Sequence, residues 1–70
     1  MAIDKVTLPV ARKIANLTQY GLASAVGVSE STVANWEKGR SEPTVSQAKA
    51  ISEATGVPLD SIIFLPSTTV

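Results

Sequence analysis

Three times along this chain, a hydroxyl side chain is followed by a short helical pattern of apolar residues and then by a glycine. A serine or threonine hydroxyl accepts a hydrogen bond from a free N–H group at the start of a helix. Glycine adopts the left-handed conformation that ends a helix without a steric penalty. The spacing of these signals therefore limits the chain to short helices. The three pairs are Thr18 with Gly27, Ser29 with Gly39, and Thr44 with Gly56.

Two further segments complete a prediction of five short helices. Thr7 and Pro9 are placed to open the first helix, because proline is tolerated in a first turn. Pro58 and Pro66 bracket the fifth segment, and no run alternates apolar and polar residues for long enough to predict a strand. The predicted class is all-α, with helices at Leu8–Asn16, Gln19–Val26, Glu30–Lys38, Val45–Thr55 and Leu59–Phe64.

Apolar residues recur at helical spacing, which predicts one buried face on each helix. The first helix is ambiguous, because Leu8, Ala11 and Ala15 form one stripe while Val10 and Ile14 form another on a different side. In the other helices the candidate core residues are Leu22, Ala23, Val26, Val33, Trp36, Ala48, Ile51, Ala54, Thr55, Leu59, Ile62 and Ile63.

Composition excludes several kinds of chemistry. The 70 residues predict a single domain, 1–70, with a thin core, since a chain of this size buries only about 60% of its unfolded surface. The chain has no cysteine and no histidine, so we expect no zinc site, no other metal or cofactor, and no cysteine or histidine nucleophile. Its helical serines and glutamates form no nucleophile–base pair, and we do not expect an enzyme.

The N-terminal residues predict neither secretion nor membrane insertion. Met1–Val10 contains one lysine and Asp4, and it lacks the apolar core of a signal peptide. No stretch approaches the roughly 18 consecutive apolar residues of a membrane span. We therefore expect a cytoplasmic protein with no membrane partner.

Residues 18–40 carry the pattern most informative about function. Two short helices there flank a turn centred on Gly27, which is the plan of a helix-turn-helix. Ala23 is small enough for the two helices to cross closely. Val28, just after the turn, is apolar and is expected to fill the angle between the helices. Val33 and Trp36, three residues apart, share one helix face and point back toward that crossing. These offsets together predict a helix-turn-helix motif at about 18–40.

More of the chain fits the same plan. The matching positions are Leu17-Thr18-Gln19, Leu22-Ala23, Val26-Gly27-Val28-Ser29, Ser31-Thr32-Val33, Trp36-Glu37, Gly39, Pro43, Gly56-Val57 and Leu59-Asp60. On these residues the chain resembles the DNA-binding unit of the Cro and phage-repressor family, also called XRE-like. The resemblance extends over roughly Leu8 to Phe64. It implies a compact five-helix, lambda-repressor-like fold whose third helix enters the major groove of DNA.

The resemblance also implies roles for individual residues. Gln19 is similar to the family glutamine that holds a backbone phosphate at a helix N-terminus. Lys38 and Arg40 stand at or after the end of the third helix, where the family contacts phosphates. Arg12 and Glu37 stand where relatives form a partly buried salt bridge between the first and third helices. The positions implied to contact bases are Ser29, Glu30, Ser31 and Asn35.

One position departs from the family pattern. Relatives commonly carry an acidic residue three positions after the threonine cap, and Gly21 stands there in this chain. Glycine inside a helix is destabilising by roughly 0.5–1 kcal/mol relative to alanine. The alternative is that Gly21 allows another backbone to approach closely.

The residue types on the outer face of the third helix suit base recognition. Asparagine pairs with adenine, glutamate accepts from cytosine N4, and alanine contacts the thymine methyl group. Two other interpretations remain open, because Glu30 also suits a helix N-terminus without DNA and Asn35 also suits a solvated face. If Val33 and Trp36 point inward, the outward residues are Glu30, Ser31, Ala34, Asn35 and Lys38.

The charge balance limits how DNA can be held. Six basic and six acidic side chains cancel over the whole chain. Residues 1–40 hold five basic and three acidic side chains, a net charge of +2, and residues 41–70 hold one basic and three acidic side chains, a net charge of −2. A protein that neutralises few phosphates is expected to bind with a modest dependence on salt.

We predict sequence-specific binding of double-stranded DNA and transcriptional regulation, as for a phage or prophage repressor of the Cro type, and the resemblance implies that it acts in the cytoplasm of a bacterial host cell. A module this small usually reaches useful affinity as two copies on a palindromic operator. We therefore expect a weak homodimer through the fifth helix and the tail at 65–70, with contacts from Ile63, Phe64 and Leu65. The alternative is an antitoxin-like or antirepressor-like module that binds a protein, which the low charge favours.

Overall fold

Four α-helices and a two-residue parallel ladder make up the fold. The computed structural model describes residues 5–64. A mostly helical architecture is thereby confirmed. In chain order the elements are β1 (Val6–Thr7), α1 (Leu8–Ile14), α2 (Gln19–Val26), α3 (Glu30–Glu37), α4 (Val45–Thr55), a 3₁₀ turn (Leu59–Ser61) and β2 (Ile62–Ile63).

The N-terminal caps of α2 and α3 are the predicted hydroxyl residues. Thr18 Oγ1 accepts from the N–H of Gly21 at 2.9 Å, and Ser29 Oγ accepts from the N–H of Thr32 at 3.2 Å. Each bond satisfies one of the first-turn N–H groups that has no partner within its helix. The bounds of α2 are those the sequence predicts, and α3 ends one residue earlier, at Glu37.

The longest helix, α4, has a complete capping box at its start. The N–H of Gln47 donates to Thr44 Oγ1 at 3.1 Å, and the N–H of Thr44 donates to Gln47 Oε1 at 2.8 Å. At its other end Gly56 has φ 75°, a left-handed conformation that ends the helix. Its bounds, Val45–Thr55, agree with the sequence prediction.

The prediction of a fifth helix at Leu59–Phe64 is wrong. Only the 3₁₀ turn Leu59–Ser61 is helical, and the chain then extends as β2. Val6 pairs with Ile62 and Thr7 with Ile63 in a parallel ladder, so the backbone of this segment finds its partners near the start of the chain. Two-residue strands have no alternating pattern long enough to be recognised in the sequence, so the count of five helices is not confirmed, although the fold is mostly helical.

The core resolves the ambiguity of α1. Leu8 and Ala11 are buried, whereas Val10 and Ile14 are 44% and 60% exposed. The helix is also shorter than predicted, because it ends at Ile14 and Asn16 adopts a left-handed φ of 59°. The buried apolar residues are Leu8, Ala11, Leu22, Ala23, Val33, Trp36, Ile51, Val57 and Ile62.

Candidate nucleic-acid interface

The turn between α2 and α3 has the geometry of a helix-turn-helix. Gly27 is left-handed, with φ 88°, and its N–H donates to the carbonyl of Ala23 at 2.8 Å. The N–H of Val28 donates to the same carbonyl at 3.0 Å, and the side chain of Val28 packs against the core. Val33 and Trp36 are both buried and anchor one face of α3 to the core. The opposite face of α3 is consequently directed toward solvent.

That outer face is polar and its side chains are free to bind a ligand. Glu30 and Ser31 are exposed, and Asn35 is half-buried. Within residues 5–64 their side chains take part in no hydrogen bond or ion pair. Three adjacent polar groups on a helix that is fixed to the core form a surface suited to reading hydrogen-bond donors and acceptors.

Ser29 differs from the other three residues implied to contact bases. Its hydroxyl caps α3 through the N–H of Thr32 and also lies 2.9 Å from the Thr32 hydroxyl. The structure thus gives Ser29 a capping function at the first turn of the helix. The N-terminal residue of α3, Glu30, stands beside the positive end of the helix dipole, which is a favourable position for an acid without any ligand.

One carboxylate links the first three helices. Arg12 Nε donates to Glu37 Oε2 at 2.7 Å and Arg12 Nη2 donates to Oε1 at 3.3 Å, so the ion pair implied by the resemblance is present. Arg12 Nη1 donates to the carbonyl of Leu17 at 3.0 Å, and Gln19 Nε2 donates to Glu37 Oε1 at 2.9 Å. The side chains of Arg12 and Glu37 are only 14% and 7% exposed. This network holds the start of α2 against the end of α3.

The place of Gln19 in the network was not expected from the sequence. A carboxamide carries two N–H bonds, and one of them is directed at Glu37. The other remains, and the main-chain N–H groups of Gln19 and Tyr20 find no acceptor among residues 5–64. The N-terminus of α2 therefore presents several donors next to a positively polarised helix end.

Lys38 and Arg40 extend the same surface beyond α3. Both side chains are exposed, and among the described residues neither takes part in a salt bridge. The N–H of Arg40 donates to the carbonyl of Asn35 at 2.9 Å, and Gly39 is left-handed with φ 77°. This turn fixes the backbone from which Arg40 projects.

A local steric restriction explains why glycine stands at position 21. A Cβ at this position meets Thr18 Oγ1 at 3.2 Å and Leu17 Cδ2 at 3.4 Å. The first distance is shorter than an ordinary van der Waals contact, and Thr18 Oγ1 is already engaged as the cap of α2. The close neighbours are side chains at the helix entrance, which differs from the close backbone approach considered as an alternative.

Metal clusters, pockets and membrane spans are all absent from the described part of the chain, 5–64. No group of three acidic side chains is placed there to hold a metal ion, and no enclosed pocket is found. None of its helices is long and apolar enough to cross a membrane. The polar surface around α3 is the region of these residues best suited to bind a ligand.

Fold and surface together define a helix-turn-helix protein. A family model described as helix-turn-helix matches residues 10–62. The chain therefore belongs to the XRE-like helix-turn-helix family.

A curated relative is similar over most of its length. The chain is 39% identical over 51 residues to an uncharacterised HTH-type transcriptional regulator from Methanocaldococcus jannaschii. The aligned residues make up 73% of this chain and 77% of the relative. No solved structure matches the chain significantly.

Proposed function

We propose that this protein binds double-stranded DNA sequence-specifically by placing α3 in the major groove, and that it regulates transcription. The observation that carries the proposal is the outer face of α3, where Glu30, Ser31 and Asn35 have free polar groups on a helix anchored by Val33 and Trp36. Membership of the helix-turn-helix family and the name of the archaeal relative support it.

In this proposal three residues read bases directly. Asn35 pairs with adenine through its carboxamide, Glu30 accepts from cytosine N4, and the hydroxyl of Ser31 accepts or donates. Ser29 contacts the neighbouring base through its hydroxyl group and still accepts the capping hydrogen bond from the N–H of Thr32.

Phosphate contacts come from both ends of the motif. Gln19 offers its remaining amide hydrogen and the free N–H groups at the start of α2, while Lys38 and Arg40 supply positive charge at the end of α3. Glu37 is neutralised by Arg12 at this surface. With so few basic residues, the logarithm of the binding constant should fall by only about 2–3 for each tenfold rise in salt for each bound subunit, as for two or three phosphates neutralised by one copy.

The kind of regulator we propose is a phage or prophage repressor of the Cro type, acting in the cytoplasm. It binds a palindromic operator as a weak homodimer with half-sites about one helical turn apart. Of the residues expected to form the dimer contact, Ile63 is 40% exposed and Phe64 packs partly against the core. Leu65 and the rest of the tail lie outside the described residues.

Selection of bound duplexes from a random pool tests the base contacts. With the selected operator, Asn35→Ala should lose discrimination at one base pair by about 1–3 kcal/mol, whereas Arg40→Ala should weaken all duplexes about equally. Ser46→Ala, an exposed substitution on α4, serves as the control. If no duplex is enriched, or if Asn35→Ala binds every base at each position as the parent does, the proposal is wrong.

A protein-binding role on the same fold is the second candidate. The supporting observation is the charge, which is zero overall and −2 over residues 41–70. An antitoxin-like or antirepressor-like module would bind a protein partner and show no salt-dependent affinity for duplex DNA. A titration of duplex at two salt concentrations therefore separates the two functions.

A further inference from the structure

Glu37 holds the side-chain carboxamide of Gln19 in one orientation. Gln19 Nε2 donates to Glu37 Oε1 at 2.9 Å, although the two residues are 18 positions apart in the chain. A carboxylate oxygen accepts hydrogen bonds and donates none, so a flipped carboxamide would bring its own oxygen against Glu37 and lose the bond. The nitrogen of Gln19 therefore faces Glu37, and the second N–H of the same NH₂ group finds no acceptor within residues 5–64.

Glu37 is a rigid support for Gln19 because Arg12 fixes it. Arg12 donates from Nε to Glu37 Oε2 at 2.7 Å and from Nη2 to Oε1 at 3.3 Å. A planar guanidinium that binds both oxygens fixes the plane of a carboxylate as well as its position. Arg12 is held in turn, because its Nη1 donates to the carbonyl of Leu17 at 3.0 Å. The carboxylate therefore cannot turn away from Gln19 without breaking these bonds.

The bond between the two side chains orders Gln19 more than it stabilises Glu37. Arg12 alone supplies a hydrogen bond to each carboxylate oxygen and cancels the charge, so Glu37 is satisfied without Gln19. Gln19, in contrast, is half-buried at the first position of α2, and within residues 5–64 its side chain has no other hydrogen-bond partner. A glutamine held only by its own torsion angles samples several rotamers. The order of Gln19 in the free protein thus depends on Glu37.

We propose that Glu37, held by Arg12, is a positioning residue for DNA binding, which presents the second N–H of Gln19 to a backbone phosphate. The inference rests on the proposed function, which gives Gln19 a phosphate contact. Immobilising a flexible side chain at an interface lowers affinity by about two- to tenfold, and a side chain that is ordered beforehand avoids this cost. Because Arg12 neutralises the carboxylate, the support adds no net negative charge beside the phosphate.

A double-mutant cycle on DNA affinity tests whether the ion pair acts through Gln19. Arg12→Leu combined with Glu37→Leu, the double variant, removes the support without leaving an unpaired charge. A duplex with one half-site of the selected operator counts each effect once. Gln19→Ala should weaken binding by the parent about tenfold, and the double variant should bind about threefold more weakly than the parent. In the double variant Gln19→Ala should then cost only about threefold more, because both changes remove the same advantage.

Two exposed residues of α4 provide the matched control. Lys49→Ala combined with Glu53→Ala also removes one cation and one carboxylate, so the net charge stays the same. Neither side chain takes part in a salt bridge within residues 5–64. The control should bind the half-site as the parent does, and Gln19→Ala should weaken it about tenfold. Circular dichroism establishes that each variant is folded before its affinity is compared.

NMR relaxation of the side-chain NH₂ groups in the free, isotopically labelled protein measures the order of Gln19 without DNA. The chain has two glutamines, Gln19 and Gln47, and both carboxamides are hydrogen-bonded. The NH₂ group of Gln19 should be ordered in the parent, and its order parameter should fall below about 0.6 in the double variant. Gln47 Oε1 accepts from the N–H of Thr44, outside the network, so its NH₂ group should be unchanged and serves as the internal reference.

An ion pair that only stabilises the fold predicts different results. Gln19→Ala would then cost the same in the parent and in the double variant, which overturns the proposal and leaves the proposed function intact. Tighter DNA binding by the double variant also overturns it, because Glu37 would then withhold Gln19 from the phosphate. A Gln19 NH₂ group that is already mobile in the parent overturns it too, and this measurement needs no variant. If the parent binds no duplex, the proposed function itself fails, and this inference fails with it.

Discussion

The helix-turn-helix and the ladder differ in how their positions are determined by the chain. α2 and α3 begin at hydroxyl caps, are separated by a left-handed glycine, and bury the faces that their apolar spacing indicates. β1 and β2 are two residues long and come from opposite ends of the described chain. Local signals suffice for the first region, whereas the second exists only because two distant segments meet. Both regions nevertheless contribute side chains to the same core.

The largest expected effect tests whether the ladder is as important to stability as the helices. Ile62→Ala should lower the free energy of unfolding by about 2–4 kcal/mol, because it removes a buried side chain from a thin core. Ile63→Ala, its neighbour on the exposed face, should cost less than about 1 kcal/mol. Urea denaturation followed by circular dichroism measures both. Equal costs at the two positions would contradict the assigned ladder faces.

A second substitution tests the network that joins α1 to the helix-turn-helix. Glu37→Leu leaves the guanidinium of Arg12 without its carboxylate, and we expect a loss of about 2–3 kcal/mol, below the range for fully buried pairs because Arg12 is partly exposed. Arg12→Leu combined with Glu37→Leu should recover part of this loss, since no charge then remains unpaired. The same denaturation measurement applies, and a double variant less stable than Glu37→Leu would argue against this account.

The smallest expected effect concerns the start of α2. Gly21→Ala gains helix propensity of roughly 0.5–1 kcal/mol but brings its Cβ to 3.2 Å from Thr18 Oγ1. These contributions oppose each other, and we expect a net change in the free energy of unfolding below about 0.5 kcal/mol. The stability difference between Ser24→Ala and Ser24→Gly, at an exposed position of the same helix, provides the reference for the propensity gain from glycine to alanine. A gain for Gly21→Ala equal to that difference would show that Thr18 moves without cost.

The sequence predicts the parts of this protein whose chemistry is local. The bounds of α2 and α4 follow from caps and glycines, because a hydroxyl and the N–H group it bonds are three residues apart. The ladder could not be found in this way, since neither strand carries a pattern of its own. The two stripes of α1 also look alike in sequence, and only packing shows that Leu8 and Ala11 face inward.

The candidate site shows the same division. The outer face of α3 follows from the positions of Val33 and Trp36. The ion pair of Arg12 with Glu37, in contrast, could be predicted only from the resemblance to a family. The bond from Gln19 to Glu37 joins residues 18 positions apart, and nothing in the chain between them indicates it. Side-chain networks between helices depend on the packed geometry, which local patterns do not contain.

The pairing of β1 with β2 also affects how fast the protein folds and unfolds. Closing a long loop costs chain entropy that is recovered only when the segments between its ends are already ordered. The ladder is therefore expected to form after the transition state, whereas the α2–α3 contacts, close in sequence, form before it. Substitutions in the ladder then accelerate unfolding and leave the refolding rate nearly unchanged. We therefore expect the lifetime of the native state to depend most on the contacts where the two ends of the described chain meet.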